Sequence, residues 1–169
     1  KSECLITAFD KFEDRLEVLK RRVKELNIKN ISFDFKTKKN QNYDLVVCDV
    51  PCTGIGTWRR RPENIIWLQS QELDKLKLNQ KKILLNASKL CKNGGKIVYI
   101  TCSLLYDENE LQIKNFLNNN KNFSLIRTVK DTNYYFNKKL LKYSEFGITL
   151  KPDSINTDGY FISILKKLG

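Results

Sequence analysis

Tyr43-Asp44-Leu45-Val46-Val47-Cys48-Asp49-Val50 is an almost unbroken apolar run, and it stops at Pro51-Cys52-Thr53-Gly54-Ile55-Gly56. A run of branched side chains ended by a proline and two glycines is the pattern of a strand buried on both faces of a parallel sheet, so a central strand is expected here. A second run, Lys96 to Ile100, ends in a comparable way at Thr101-Cys102-Ser103. In an open α/β sheet the carboxyl ends of the strands form the ligand crevice, so residues just past a strand face a site. Burial is the ordinary fate of a free cysteine. Two thiols at two strand ends, each in a distinctive block, point instead to chemistry.

Strands and helices alternate around these runs. Leu5 to Phe9 is a short apolar run before Asp10, and a helical pattern follows from Phe12 to Leu26, with Leu16, Leu19, Val23 and Leu26 on one side. Ile31 to Asp34 reads as a second strand and Lys36 to Asn42 as a loop. A helix is predicted from Gln69 to Leu90, its apolar side made by Leu73, Leu76, Ile83, Leu84, Ala87 and Leu90. Asn93-Gly94-Gly95 is predicted to stop it in a turn before the strand Lys96 to Ile100. Asp107-Glu108-Asn109-Glu110 reads as an acidic helix start at the positive end of a helix dipole, leading into Leu111 to Asn118. A short strand around Phe123 to Ile126, a polar and aromatic excursion from Asn133 to Leu150, and a last strand from Gly159 to Leu165 complete the pattern. The alternation predicts a parallel, doubly wound sheet, with the final pair adding an antiparallel edge hairpin.

Charge narrows the partners. Lys and Arg number 31 against 19 Asp and Glu, a formal charge of +12, which favours a polyanion such as RNA or DNA. Five cysteines and no histidine suit free thiols in a reducing cytoplasm. Cys48 and Cys52 have no second pair of ligands to complete a tetrahedral zinc site, so no metal is expected. No apolar run approaches the roughly 20 residues that a membrane helix needs, and no membrane partner is expected. Cys4, Cys48 and Cys91 belong to no motif and read as structural.

The block from Asp49 to Gly56 is followed by Trp58-Arg59-Arg60-Arg61-Pro62-Glu63, and Thr101-Cys102-Ser103 is followed by the Asp107 to Glu110 segment. With a closing Asp158-Gly159-Tyr160-Phe161, these motifs resemble the RNA cytosine-C5 methyltransferase family, in its bacterial Sun or RsmB-like ribosomal RNA branch. The resemblance runs from Leu5 to Lys167. It implies a Rossmann-like class I S-adenosylmethionine-dependent methyltransferase fold, α/β, with a mostly parallel sheet and an antiparallel edge hairpin. It also implies S-adenosylmethionine as cofactor, small-subunit ribosomal RNA as substrate, and a monomer.

The chemistry fits those residues. Carbon 5 of cytosine is a poor nucleophile, and a thiolate added at carbon 6 turns the ring into an enamine-like adduct able to attack a sulfonium methyl. The resemblance gives the attack to Cys102, a role in expelling the enzyme to Cys52, and contact with the N3/N4 edge of cytosine to Asp49. Asp10 closes the first strand, where an acid meets cofactor ribose hydroxyls. A helix N-cap is the other use of an Asp there, but Arg15-Leu16 complete the family's Asp-x-x-x-x-Arg-Leu pattern. Asp34 is the candidate for the adenine amino group, and Asp49 and Pro51 complete the expected cofactor side. Trp58, Arg59, Arg60 and Arg61 combine a stacking face with phosphate-binding charge, as holding an unstacked base requires.

Two other readings differ in what they need. DNA cytosine-C5 methyltransferases place the nucleophile in the Pro-Cys block, followed by Gln, and amino-group methyltransferases need no thiol; neither pattern is present. A basic, catalytically silent RNA-binding module is the alternative from another class. The family's Gly-rich cofactor loop, Asp-x-Cys-Ala-Ala-Pro-Gly-Gly-Lys, does not occur in these 169 residues, nor does any methionine. Residues 1–169 are therefore expected to be a single partial catalytic domain without its first strand, its cofactor loop or an N-terminal RNA-binding domain. The segment alone is expected to have negligible S-adenosylmethionine affinity; micromolar binding by calorimetry would contradict this.

Overall fold

The computed structural model describes residues 4–34, 42–65, 70–126, 141–152 and 157–169, which fall into two compact units, Lys1–Gln41 and Asn42–Gly169. In the first unit, β1 (Ile6–Phe9) and β2 (Ile31–Asp34) pair in parallel, from Ile6 opposite Ile31 to Phe9 opposite Asp34. α1 (Glu13–Glu25) connects them, with Glu13 and Asp14 in its first turn and Arg22 and Lys24 in its last, each matched to the helix dipole. Of the predicted apolar side, Leu16 and Val23 are buried while Leu26 is 71% exposed. Leu26 follows the last helical residue. There Asn27 takes a left-handed conformation (φ 52°), and the N–H groups of Asn27 and Ile28 close back onto the carbonyls of Lys24 and Val23. Asparagine tolerates that conformation, and the paired bonds make a Schellman stop.

The second unit contains β3 (Tyr43–Asp49), a 3₁₀ turn at Ile55–Thr57, another at Pro62–Ile65, α2 (Ser70–Leu90), β4 (Cys91–Thr101), α3 (Glu110–Asn119), β5 (Phe123–Leu125), β6 (Leu141–Tyr143), β7 (Ile148–Leu150) and β8 (Tyr160–Lys167). The sheet order is β3-β4-β8-β7-β6, and β5 also pairs with β8. β3 and β4 are parallel. β8 is antiparallel to β4 on one edge, and its other edge is shared by β7 near its start and β5 near its end. The strand–helix alternation thus gives the mixed, Rossmann-like α/β layout expected, but its antiparallel part exceeds an edge hairpin, and β8 lies inside the sheet.

Three expectations need correction. β3 is the terminal strand of this sheet among the described residues: Cys48 and Val50 are buried, but Leu45 and Val47 on the alternate face are 52% and 57% exposed. A strand's side chains alternate between two faces, so an apolar run does not by itself report that both are covered. Asn93-Gly94-Gly95 does not form a separate turn; β4 begins at Cys91 and absorbs the glycines in a register shift, opposite Tyr43 to Leu45, with Gly94 at φ 76°. The helix start read at Asp107 is displaced to Glu110. Gln69, residues 36–41 of the predicted loop and residues 133–140 of the polar excursion lie outside the described residues, and the rest of that excursion supplies the β6–β7 hairpin.

The core lies between β4, β8, α2 and α3. Tyr99, Ile97, Phe161, Leu165, Leu84 and Ile113 are buried to within 1% exposure, with Tyr99 packed edge-on to Phe161 at 6.5 Å between ring centroids. No helix among the described residues is long and apolar enough to cross a membrane. Gly56 and Gly159 approach each other closely, and the Gly159 N–H donates to the Gly56 carbonyl at 2.8 Å. A Cβ on Gly56 would collide with the Gly159 carbonyl, and one on Gly159 would lie 2.8 Å from the Gly56 Cα. Gly56→Ala is expected to cost about 1–3 kcal/mol of stability, the usual price of overpacking, measurable as a lowered urea midpoint at unchanged slope.

Candidate active site

Parallel pairing brings the two cysteine blocks together. Asp49 stands opposite Ile100, and the Val50 N–H continues the ladder to the Ile100 carbonyl at 3.1 Å, so both chains leave the sheet at the same end. Cys52 follows three residues after Asp49 and Cys102 two after Ile100, and their sulfurs meet at 3.3 Å as free thiols. The turn beyond Cys52 is fixed from two sides. Gly54 takes φ 69°, a conformation suited to glycine, and the Gly56 N–H donates to the Cys102 carbonyl at 2.9 Å.

The sulfur contact polarises the pair. A hydrogen bond from the Cys52 thiol lowers the pKa of Cys102 to about 7, against the opposing effects of burial and the nearby acids Asp49 and Glu108, with a backbone hydrogen bond adding to the lowering. Cys52 moves the other way: as the donor it is driven well above the ordinary thiol range, and burial adds to this. Of the cysteines read as structural, burial raises Cys48 to about 12 and also raises Cys91, while Cys4 is exposed in the first unit. The contact thus sets the two thiols apart, with the lower pKa at Cys102.

A buried polar cluster surrounds the two loops. The Glu108 carboxyl, 0% exposed, accepts from the Thr53 N–H at 3.0 Å, the Thr53 hydroxyl at 2.6 Å and Gln80 Nε2 at 2.9 Å. Gln80 Nε2 also donates to the Pro51 carbonyl at 3.0 Å. Across the contact, the Thr101 hydroxyl donates to Asn109 Oδ1 at 2.6 Å and Asn109 Nδ2 donates to the Ser103 carbonyl at 2.9 Å. The Thr53 and Ser103 hydroxyls lie 3.2 Å apart and join the two halves.

Cys52, Thr53, Cys102, Arg60 and Arg61 line a cavity of about 330 Å³. That lies at the lower end of ligand pockets, roughly 300–1,000 Å³. Arg60 forms an ion pair with the nearly buried Asp158, while Arg59 is exposed and does not line the cavity. Trp58 is half-buried, and its indole N–H is buried with no acceptor among the described residues. Asp49 and Pro51 are exposed beside Cys52. In the first unit, Phe9 opposite Asp34 puts Asp10 and Asp34 at adjacent carboxyl strand ends. Asp10 accepts from the Phe12 N–H at 2.9 Å and pairs with Arg15 at 3.7 Å, so it organises the start of α1. Arg15 also lies over the Phe12 ring.

Sequence reasoning did not single out Gln80, nor Glu108 and Asn109 as side chains of the site. A signal for Gln80 existed: it continues the line Leu73, Leu76, Leu84 and Ala87 along α2, so a polar residue occupies a core position. Glu108 and Asn109 were hidden by their place in an acidic run, where solvent exposure is the ordinary expectation.

The sequence matches the family model described as 16S rRNA methyltransferase RsmB/F over residues 1–166. It is 31% identical to the ribosomal RNA small subunit methyltransferase B of Photorhabdus laumondii, over 98% of this chain and 37% of that protein. It is 33% identical to the enzyme of the same name from Escherichia coli O1:K1, over 75% of this chain and 31% of the relative. The chain therefore spans less than two fifths of these relatives. Its structure is similar to that of NSun6 from Pyrococcus horikoshii with SFG, at TM-score 0.77 and 25% identity, over 98% of this chain and 42% of that one.

The thiol assignment predicts a pH profile. Alkylation of Cys102 by iodoacetamide is expected to rise with pH through a midpoint near 7, because the thiolate reacts. Cys52→Ala removes the donor and is expected to move the midpoint up toward the ordinary thiol value of about 8.5, as read by peptide mass spectrometry. An unchanged midpoint would remove Cys52 as its cause.

Proposed function

The chain belongs to the 16S rRNA methyltransferase RsmB/F family, and from that membership we propose that it carries the reacting groups for methylating carbon 5 of a cytosine in small-subunit ribosomal RNA. The observation that carries this reading is the 3.3 Å contact between Cys52 and Cys102 in a cavity that Arg60 and Arg61 also line. Residues 1–169 act in it as one partial catalytic domain. The Cys102 thiolate adds to carbon 6, and the Asp49 carboxyl holds the N3/N4 edge as charge develops there. Uracil presents a different donor and acceptor pattern, and the polar group it leaves unpaired costs on the order of 1–3 kcal/mol.

S-adenosylmethionine supplies an electrophilic methyl group in this reading. Asp10 and Asp34, side by side at adjacent strand ends, form a polar pair suited to ribose hydroxyls and an adenine amino group. Arg15 orients Asp10. In the second unit, Asp49 and Pro51 are the residues assigned to the cofactor. Once carbon 5 carries the methyl group, a solvent water takes its proton, the C–H electrons restore the C5–C6 double bond, and the C6–S bond breaks with its electron pair going to the Cys102 sulfur. The Cys52 thiol assists because the hydrogen bond that stabilises the Cys102 thiolate also stabilises it as a leaving group. Arg60 and Arg61 take phosphates at the cavity mouth, Arg59 a flanking phosphate, and Trp58 the stacked base. The enzyme works in this reading as a cytoplasmic monomer without metal or membrane.

Trapping tests it. RNA containing 5-fluorocytosine is expected to give a stable adduct with the full-length protein, absent in Cys102→Ala. Cys52→Ala is expected to accumulate adduct on ordinary RNA. An adduct that persists in Cys102→Ala would overturn the nucleophile, and rapid release by Cys52→Ala would remove the expulsion role.

A further inference from the structure

We infer that Glu108 and Asn109, with Gln80, are positioning residues that set the separation of the two reacting thiols, each clamping one cysteine loop from neighbouring positions in a single segment. The inference rests on the reading of Cys102 and Cys52 as the reacting pair. Cys52 lies between Pro51 and Thr53, and both neighbours are tied to the same unit: Pro51 through its carbonyl to Gln80, Thr53 through its N–H and its hydroxyl to Glu108. Cys102 lies between Thr101 and Ser103, and both are tied to Asn109. The clamp is itself anchored, because the Tyr99 hydroxyl donates to the Glu108 carbonyl at 2.7 Å and the Ile113 N–H to the Asn109 carbonyl at 3.3 Å.

The pattern is more specific than stability requires. Glu108, Asn109 and Gln80 are 0–2% exposed, and Glu108 has no ion pair among the described residues. Replacing both partners of a buried hydrogen bond by apolar groups of the same shape can be nearly neutral in stability. Their side-chain hydrogen bonds run to one another and to residues flanking the two cysteines. Gln80 works in one orientation only: Nε2 reaches two acceptors, and Oε1, which has no partner among the described residues, would face those acceptors if the amide were turned. A clamp also explains how two loops outside the sheet hold a sulfur contact of 3.3 Å.

Positioning and charge separate on Glu108→Gln. The amide oxygen can accept from Thr53 N–H and Gln80, and the amide N–H can donate to the Thr53 hydroxyl, which turns toward Ser103; the clamp closes without a carboxyl group. Glu108→Ala opens it. Gln80→Met keeps the volume and removes both of its donated bonds, which keeps the test available should Glu108→Ala fail to fold. In the full-length protein, Glu108→Ala is expected to lower kcat about 10²-fold, the scale of a misplacement of about 1 Å, with KM for RNA little changed. The pH midpoint of Cys102 alkylation is expected to move from about 7 toward the ordinary value in Glu108→Ala and, by less, in Gln80→Met. Glu108→Gln is expected to stay near wild type in both. A folded Gln80→Met or Glu108→Ala with wild-type midpoint and kcat overturns the clamp, as does Glu108→Gln being as impaired as Glu108→Ala. Alkylation needs no RNA, so a wild-type protein that forms no RNA adduct refutes the proposed reaction while the midpoints still judge the clamp.

Discussion

The parallel register of β3 and β4, Asp49 opposite Ile100, is the constraint on which the site depends. Parallel strands emerge at the same end of a sheet, whereas an antiparallel pair would have sent the two cysteine blocks to opposite ends. The five consecutive paired positions from Leu45 to Asp49 also leave no slack: a one-residue slip would turn Cys48 and Val50 out of the core and move the Cys52 loop relative to Cys102. The burial of alternate β3 residues under α2 therefore fixes the start of the chemistry.

Register alone aligns backbones to a residue, not sulfurs to a fraction of an ångström. The finer alignment comes from the polar cluster, where low dielectric makes each satisfied hydrogen bond directional and each unsatisfied one costly. Glu108 and Asn109 are consecutive, so a single turn before α3 reaches both loops. Leu111 to Phe116 pack that helix on the core through Ile113 and Phe116, and a stable hydrophobic contact carries a polar adjustment at its end.

Much of the fold was legible because its signals are local. The strand ends, the placement of Cys52 and Cys102 just past them, the turn at Gly54 and the two long helices all follow from short-range pattern, and the βα alternation gives the mixed α/β class. What was misread depends on distant partners. Leu45 and Val47 are as apolar as Val46, so only the sheet order distinguishes a terminal strand from a central one. Glu108 looks like Asp107 and Glu110 in sequence, and only its burial beside Thr53 and Gln80 separates a structural acid from a dipole-matching one. For Asp10 the local signal is also met: its carboxyl organises the start of α1 with Phe12 and Arg15.

The antiparallel placement of β8 gives the site a third support. Because β8 runs against β4, with Phe161 opposite Thr101, its first residues arrive where β4 ends. Gly159 reaches the 3₁₀ turn there with no side chain between the two backbones, and its N–H holds Gly56, whose own N–H holds Cys102. One residue earlier, Asp158 pairs with Arg60 at the edge of the thiol cavity. A parallel strand in that position would have delivered its other end. The reversal in strand direction, which enlarges the antiparallel part of the sheet beyond a simple hairpin, is what lets two consecutive residues distant in sequence, Gly159 and Asp158, hold the turn behind Cys52 and the arginine beside it.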